Sequence, residues 1–190
     1  MTNKHDWLLK KTPRAVDGMK LWGENPRLSS EFQYLSNRDF AEEMISESGD
    51  RTALINLAKS ISKNGFIPAD PIVLWQDEEN NKYYVAEGNR RVLVLKLLLK
   101  PKLAPKSIRA TITKLSNSID LKIISKVHVC IAPSFEDAEW YISQRNSMTS
   151  LQRRWVTEQQ LKWVMNLYDK YNGDVNIIQS KIDLSESELK

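Results

Sequence analysis

The sequence predicts an α+β fold, a mixed α/β N-terminal domain followed by an all-helical segment. Three observations carry this. Residues 71–99 run from one strand pattern to a second, break at a glycine and continue as an apolar helix. Residues 51–64 repeat Leu54, Leu57, Ala58 and Ile61 at helical spacing and end at Gly65. After Pro133 only helical periodicity remains. The expected organisation is therefore a mixed domain over residues 1–133 and a helical region over 134–190.

Residues 1–30 hold Trp7, Trp22 and two prolines, with weak periodicity, and read as an extended arm containing Glu24-Asn25-Pro26-Arg27. Residues 39–47 read as a short helix and 51–64 as a clearer one. Pro71-Ile72-Val73-Leu74-Trp75 is a strand, residues 76–82 a polar hairpin loop, and Tyr83-Tyr84-Val85-Ala86 the partner strand. The run from Val92 to Leu99 is apolar at seven of eight positions, so it is expected to be a buried helix. Residues 100–106 form a basic, proline-bearing loop. Residues 109–115 alternate like a strand, 119–124 read as a short helix, and 127–132 as another strand. Ser134 with Asp137 gives a capping-box-like start to a helix ending near Asn146. A longer helix over 152–171 carries a broad apolar stripe and stops at Asn172-Gly173. Short helices are expected at 174–182 and from Ser185, with the helical region continuing beyond Lys190.

Composition narrows the function classes. Hydrophobic residues make up 41% and charged residues 27%, the balance of a soluble globular chain. The net charge of +4 is compatible with nucleic-acid binding without requiring it. No apolar run approaches the ~20 residues needed to span a bilayer, and no apolar segment follows the first residues as in a secretory signal. No membrane association and a cytoplasmic location are the expectations. The single cysteine, Cys130, excludes an internal disulfide and a cysteine-rich zinc site. In an apolar strand it reads as a buried, inert thiol. His5 and His128, the only histidines, lie far apart and support neither a metal cluster nor a Ser-His-Asp arrangement.

The most informative residues are Glu87-Gly88-Asn89-Arg90-Arg91, which follow a strand and open a helix. Glycine lets the backbone approach a ligand closely. A helix N-terminus offers N–H groups and the positive end of the dipole. Arginine adds a planar fork suited to phosphate oxygens. The alternative is a strand-to-helix corner with two solvated arginines. Neighbouring helical residues point about 100° apart, so one arginine can reach phosphate while the other pairs with a carboxylate. Glu87 is the candidate catalytic acid and weak Mg ligand, or equally a strand-end salt bridge. Asn89 fits a helix cap. Lys100, Lys102, Lys106 and Arg109 are a second basic stretch, either a nucleic-acid contact or a solvated face.

In order and motif, these pieces resemble the N-terminal domain of the ParB partition proteins, which shares a fold with sulfiredoxin. The resemblance rests on Asn25-Pro26-Arg27, Leu57-Ala58-Lys59-Ser60-Ile61 through Gly65, Pro71-Ile72-Val73 and Gly88-Asn89-Arg90-Arg91, within residues 20–115. It implies a nucleoside triphosphate ligand, CTP before ATP, with Mg. It implies phosphate contacts from Gly88, Asn89, Arg90, Arg91, Arg27, Gly65 and Arg145. It also implies DNA as a partner and a homodimer. The family's turn reads Gly-Glu-Arg-Arg, so Asn89 stands where that turn has glutamate. The family's downstream Glu-Asn-x-x-Arg is matched only by the fragment Gln144-Arg145-Asn146. Sulfiredoxin's phosphate-loop cysteine has no counterpart here. The helices at 174–190 resemble the first part of a helix-turn-helix, which places its second helix in the major groove.

The expected function is therefore ParB-like, nucleotide-dependent DNA binding of the plasmid-partition or mobile-element type. One alternative is an enzyme on the same fold, either an NTPase acting on CTP or ATP or a metal-dependent nuclease of phage defence. In the nuclease case Glu87 and Arg90 would act on a phosphodiester. A second alternative is a non-catalytic protein-binding module. Whether the chain is an enzyme stays open at this level.

Overall fold

The computed structural model describes residues 5–23, 36–46, 48–146, 165 and 168–175. The chain divides into two compact units, residues 1–144 and 145–190. In chain order the elements are strands β1 (Thr12–Ala15) and β2 (Met19–Leu21), then helices α1 (Asn37–Met44) and α2 (Ser48–Asn64). Strands β3 (Ile72–Gln76) and β4 (Tyr83–Glu87) follow, then helices α3 (Asn89–Leu99), α4 (Lys106–Ser116) and α5 (Leu121–Ser125). Strand β5 (Lys126–Ala132) and helix α6 (Phe135–Asn146) complete the series. The fold class is α+β, as the sequence predicts.

The strands form one mixed five-stranded sheet in the order β1-β5-β3-β4-β2. β1 with β5 and β3 with β4 are antiparallel, whereas β3 with β5 and β2 with β4 are parallel. The outermost strands, β1 and β2, are joined only by a 3-10 turn at Val16–Gly18. The four steps from Ala15 to Met19 reach at most about 14 Å. A flat sheet would hold its first and fifth strands about 19 Å apart. The sheet must therefore curl. Arg14 of β1 donates to the Tyr83 hydroxyl of β4 at 2.9 Å, bringing together two strands that lie three places apart in the order.

Alternation along the strands divides the core. Ile72, Leu74, Val85, Val127 and Val129 face α1 to α5, while Val73, Trp75, Ala86, Cys130 and Ala132 face Trp7 and α6. Residues 92–98 of α3 are buried without a break, as expected of a helix apolar all round. Cys130 is fully buried, its thiol donates to the Leu8 carbonyl at 3.1 Å, and burial raises its pKa.

Lys96 is the exception within α3. It is 4% exposed and donates to the carbonyls of Val16 (2.9 Å) and Asp17 (3.3 Å), tying the helix to the turn that joins β1 and β2. Burial lowers its pKa from 10.5 to about 8, against the opposing pull of Asp17. Between those values the unfolded chain holds a proton that the folded chain has released. Stability therefore rises with pH across that window. A Lys96→Met variant lacks this titrating group. Urea midpoints at pH 7.5 and pH 10 are expected to rise for the natural chain relative to that variant. Parallel pH profiles for the two proteins would disprove the titration.

Two local expectations are corrected. Residues 109–115 are part of helix α4, not a strand. The Thr and Ile content suggested β-structure, but Ile108, Ile112 and Leu115 recur at helical spacing, with the two isoleucines buried. The arm at 1–30 contains strands β1 and β2, which are too short for a sequence period to register. Gly65 does end α2, with φ of 75°. In the second unit, Asn172 (φ 49°) and Gly173 (φ 73°) end a helical turn, and the Gly173 N–H donates to the Tyr168 carbonyl at 2.9 Å. The rest of the 152–171 helix and nearly all of the helix-turn-helix pair fall outside the described residues.

Candidate functional site

β4 ends at Glu87, and the chain turns into α3 through Gly88, which has φ of 98° and ψ of 18°. That left-handed conformation suits glycine. Space imposes the same choice. A Cβ on Gly88 would lie 3.1 Å from Arg91 Nη2 and 3.2 Å from Ile72 Cγ1. The first turn of α3 then presents backbone N–H groups that the helix ladder does not use.

The two arginines have different surroundings. Arg91 reaches back under the turn. It donates to the Asp70 carbonyl, and its Nη2 donates to the Pro71 carbonyl at 3.1 Å. Glu87 Oε1, at the end of β4 and four residues earlier in the chain, stands 3.8 Å from the same nitrogen. Arg91 therefore fastens the segment entering β3 to the turn leaving β4. Arg90 points toward the first turn of α2, where its Nη2 lies 2.5 Å from Asp50 Oδ1. Its side chain is 29% exposed, and its Nε is buried without a hydrogen-bond partner among the described residues.

Asn89 is buried, with 4% exposure. Its Oδ1 accepts from the Trp22 N–H at 3.0 Å, and its Nδ2 donates to the Val85 carbonyl at 2.8 Å. It occupies the first position of α3, and the cap position belongs to Gly88. The amide thus joins the end of β2, strand β4 and helix α3.

The structure brings together Glu87, Gly88, Asn89, Arg90 and Arg91. It does not bring Gly65 to them. Gly65 lies beyond the C-terminus of α2, about 22 Å along the helix axis from Asp50. Arg145 is in the last turn of α6, with its side chain outside the described residues, and Arg27 lies outside them altogether. Among the described residues, no group of three His, Cys, Asp or Glu side chains is placed to hold a metal ion, and no helix is long and apolar enough to cross a membrane. Sequence reasoning missed Asp50. A carboxylate in a helix's first turn is common, and nothing local ties it to an arginine 40 positions later.

Comparison of structures finds similarity to the C-terminally truncated chromosome-partitioning protein ParB from Caulobacter crescentus complexed with CTP-γ-S. The TM-score is 0.45 and the identity 12%, over 86% of this chain and 65% of that one. The chain thus spans less than two thirds of that structure's length. No family model and no curated protein matches the chain.

Proposed function

We propose that the chain is a ParB-like, nucleotide-dependent DNA-binding protein whose phosphate site is the turn from β4 into α3. The observation that carries the reading is Arg90, set beside a glycine-opened helix N-terminus with hydrogen-bonding capacity to spare. Its Nη2 pairs with a half-exposed carboxylate, and its Nε is buried with no hydrogen-bond partner among the described residues. Phosphate oxygens at the first turn of α3 would find backbone N–H groups and this guanidinium together. Gly88 supplies the close approach. Arg91 and Asn89 hold the turn in shape, and Arg27 is a further phosphate ligand on this reading; Gly65, at the far end of α2, is not. Triphosphate oxygens would complete the shell of a Mg ion, with Glu87 as its protein ligand. CTP is the favoured nucleotide and ATP the second. The proposed setting is cytoplasmic, on DNA, as a homodimer.

Calorimetric titration with CTP, ATP and GTP, each with and without Mg, tests the reading. One nucleotide is expected to bind selectively. Arg90→Ala is expected to weaken it roughly 10- to 100-fold, the loss of one charge-assisted contact of about 1.5–3 kcal/mol. The same change should leave the fold nearly untouched, because a half-exposed ion pair contributes only about 0–1 kcal/mol. A folded Arg90→Ala protein of undiminished affinity would sink the assignment. If the natural chain binds no nucleotide, Arg90 and Arg91 are latches of a structural corner and the protein-binding module becomes the better reading.

A further inference from the structure

We infer that a groove between α1, the first turn of α2 and the start of α4 is a second phosphate site, one that takes the phosphodiester backbone of a nucleic acid. The groove has a volume of about 520 Å³ and is lined by Arg38, Arg51, Lys106 and Arg109, with Glu42 as its carboxylate. Two consecutive helices and a third far along the chain thus deliver four positive charges against one negative. Among the described residues none of the four cations is in an ion pair.

The arginines are positioned rather than loose. Arg38 donates to the Lys102 carbonyl at 2.9 Å and Arg51 to the Ser107 carbonyl at 2.9 Å. Arg109 donates to the Ala104 carbonyl through Nε (3.0 Å) and Nη2 (2.8 Å). Carbonyls orient a guanidinium without neutralising it, so the like charges still repel one another. An anionic ligand relieves that repulsion. Planar forks spread over several residues suit repeated phosphates, each offering two or more oxygens. An acidic peptide fits less well, because Ile45 and Pro105 are the only apolar lining for its side chains.

The groove shares no residue with the turn at Gly88, so this inference stands apart from the nucleotide reading. The two sites meet only at consecutive residues of α2. Asp50 holds Arg90, and Arg51 lines the groove.

The test is anisotropy of a labelled DNA duplex over a salt series, with the natural chain and an Arg51→Gln/Lys106→Gln double variant. Arg51 and Lys106 are both exposed, so the fold should survive, and circular dichroism checks that it does. The natural chain is expected to bind with an affinity that falls as salt rises. Losing two phosphate contacts should flatten the slope of log K against log salt by about 1.8. The charge-keeping Arg51→Lys/Lys106→Arg variant should restore that slope. Nucleotide titration should be the same in all three proteins. A folded double variant with the natural slope and affinity would overturn the inference, as would a natural chain that does not bind the duplex. Polyglutamate competing as well as DNA at equal charge would reassign the groove to acidic peptides. Displacement of the duplex by inorganic phosphate at constant ionic strength would reassign it to free phosphate.

Discussion

Replacing Gly88 with alanine is expected to destabilise the protein by about 2–4 kcal/mol, from two separable causes. The first is conformational. At φ of 98° a residue with a Cβ is strained, at a cost of about 1–3 kcal/mol. The second is steric. The new methyl group meets Ile72 Cγ1 at 3.2 Å and Arg91 Nη2 at 3.1 Å, both tighter than ordinary contact. Neither neighbour yields easily. Ile72 is fully buried in the main core. Arg91 is held by the carbonyls of Asp70 and Pro71, and each such bond contributes about 0.5–1.5 kcal/mol net. For a domain whose whole stability is about 5–15 kcal/mol, the loss is large. A urea denaturation series reads it directly, and an unchanged midpoint would mean that the turn is neither strained nor crowded. On the proposed function the change should also weaken nucleotide binding, because moving Arg91 reshapes the first turn of α3.

That turn is also where the sequence was most and least informative. The run of two strands, glycine and helix was legible because each piece has a local cause. Alternation marks the strands, glycine permits the break, and unbroken apolarity marks a buried helix. Helix α2 and its stop at Gly65 were readable for similar reasons. The roles of the polar residues were not. Arg91 and Asn89 both resembled ligand-facing groups because the groups they hold, the Asp70 and Pro71 carbonyls and the Trp22 N–H, are backbone atoms far away in sequence. A backbone group has the same chemistry at every position, so no residue type announces the pairing. The basic groove shows the same limit. Lys106 and Arg109 stood out as part of a run, but Arg38 and Arg51 are isolated arginines on two other helices. The packing of α2 on α4, and the bond from Arg38 of α1 to the Lys102 carbonyl, bring them together. Helix α4 was misread for a different reason. Its Thr and Ile residues favour strands, and burial of one helical face outweighed that local preference.

The second large effect is expected at Asn89, where alanine should cost about 2–5 kcal/mol although the deleted group is only a side-chain amide. Both ends of that amide are used inside the protein. The acceptor meets the Trp22 N–H and the donor meets the Val85 carbonyl, so the partners themselves fix which end is oxygen. Alanine leaves a part-buried donor and a buried acceptor without these partners, at up to about 1–3 kcal/mol each. The isosteric Asn89→Asp variant separates this account from a simple loss of volume. Aspartate can still accept from Trp22, but it sets an oxygen against the Val85 carbonyl and buries a charge at a site of 4% exposure. It should therefore be destabilised at least as much as alanine at neutral pH, and should recover part of that loss at low pH, where a protonated carboxyl can donate to Val85. If Asn89 acted only as a ligand contact, both variants would keep the natural urea midpoint and lose nucleotide affinity alone. Hydrogen exchange at the Trp22 amide is the most direct readout, because the Asn89 side chain is the partner of that N–H. Faster exchange there in Asn89→Ala, with protection in α4 retained, would place the damage at the junction of β2, β4 and α3. The proposed phosphate site would then depend on Asn89 for its shape even if no phosphate touches that residue.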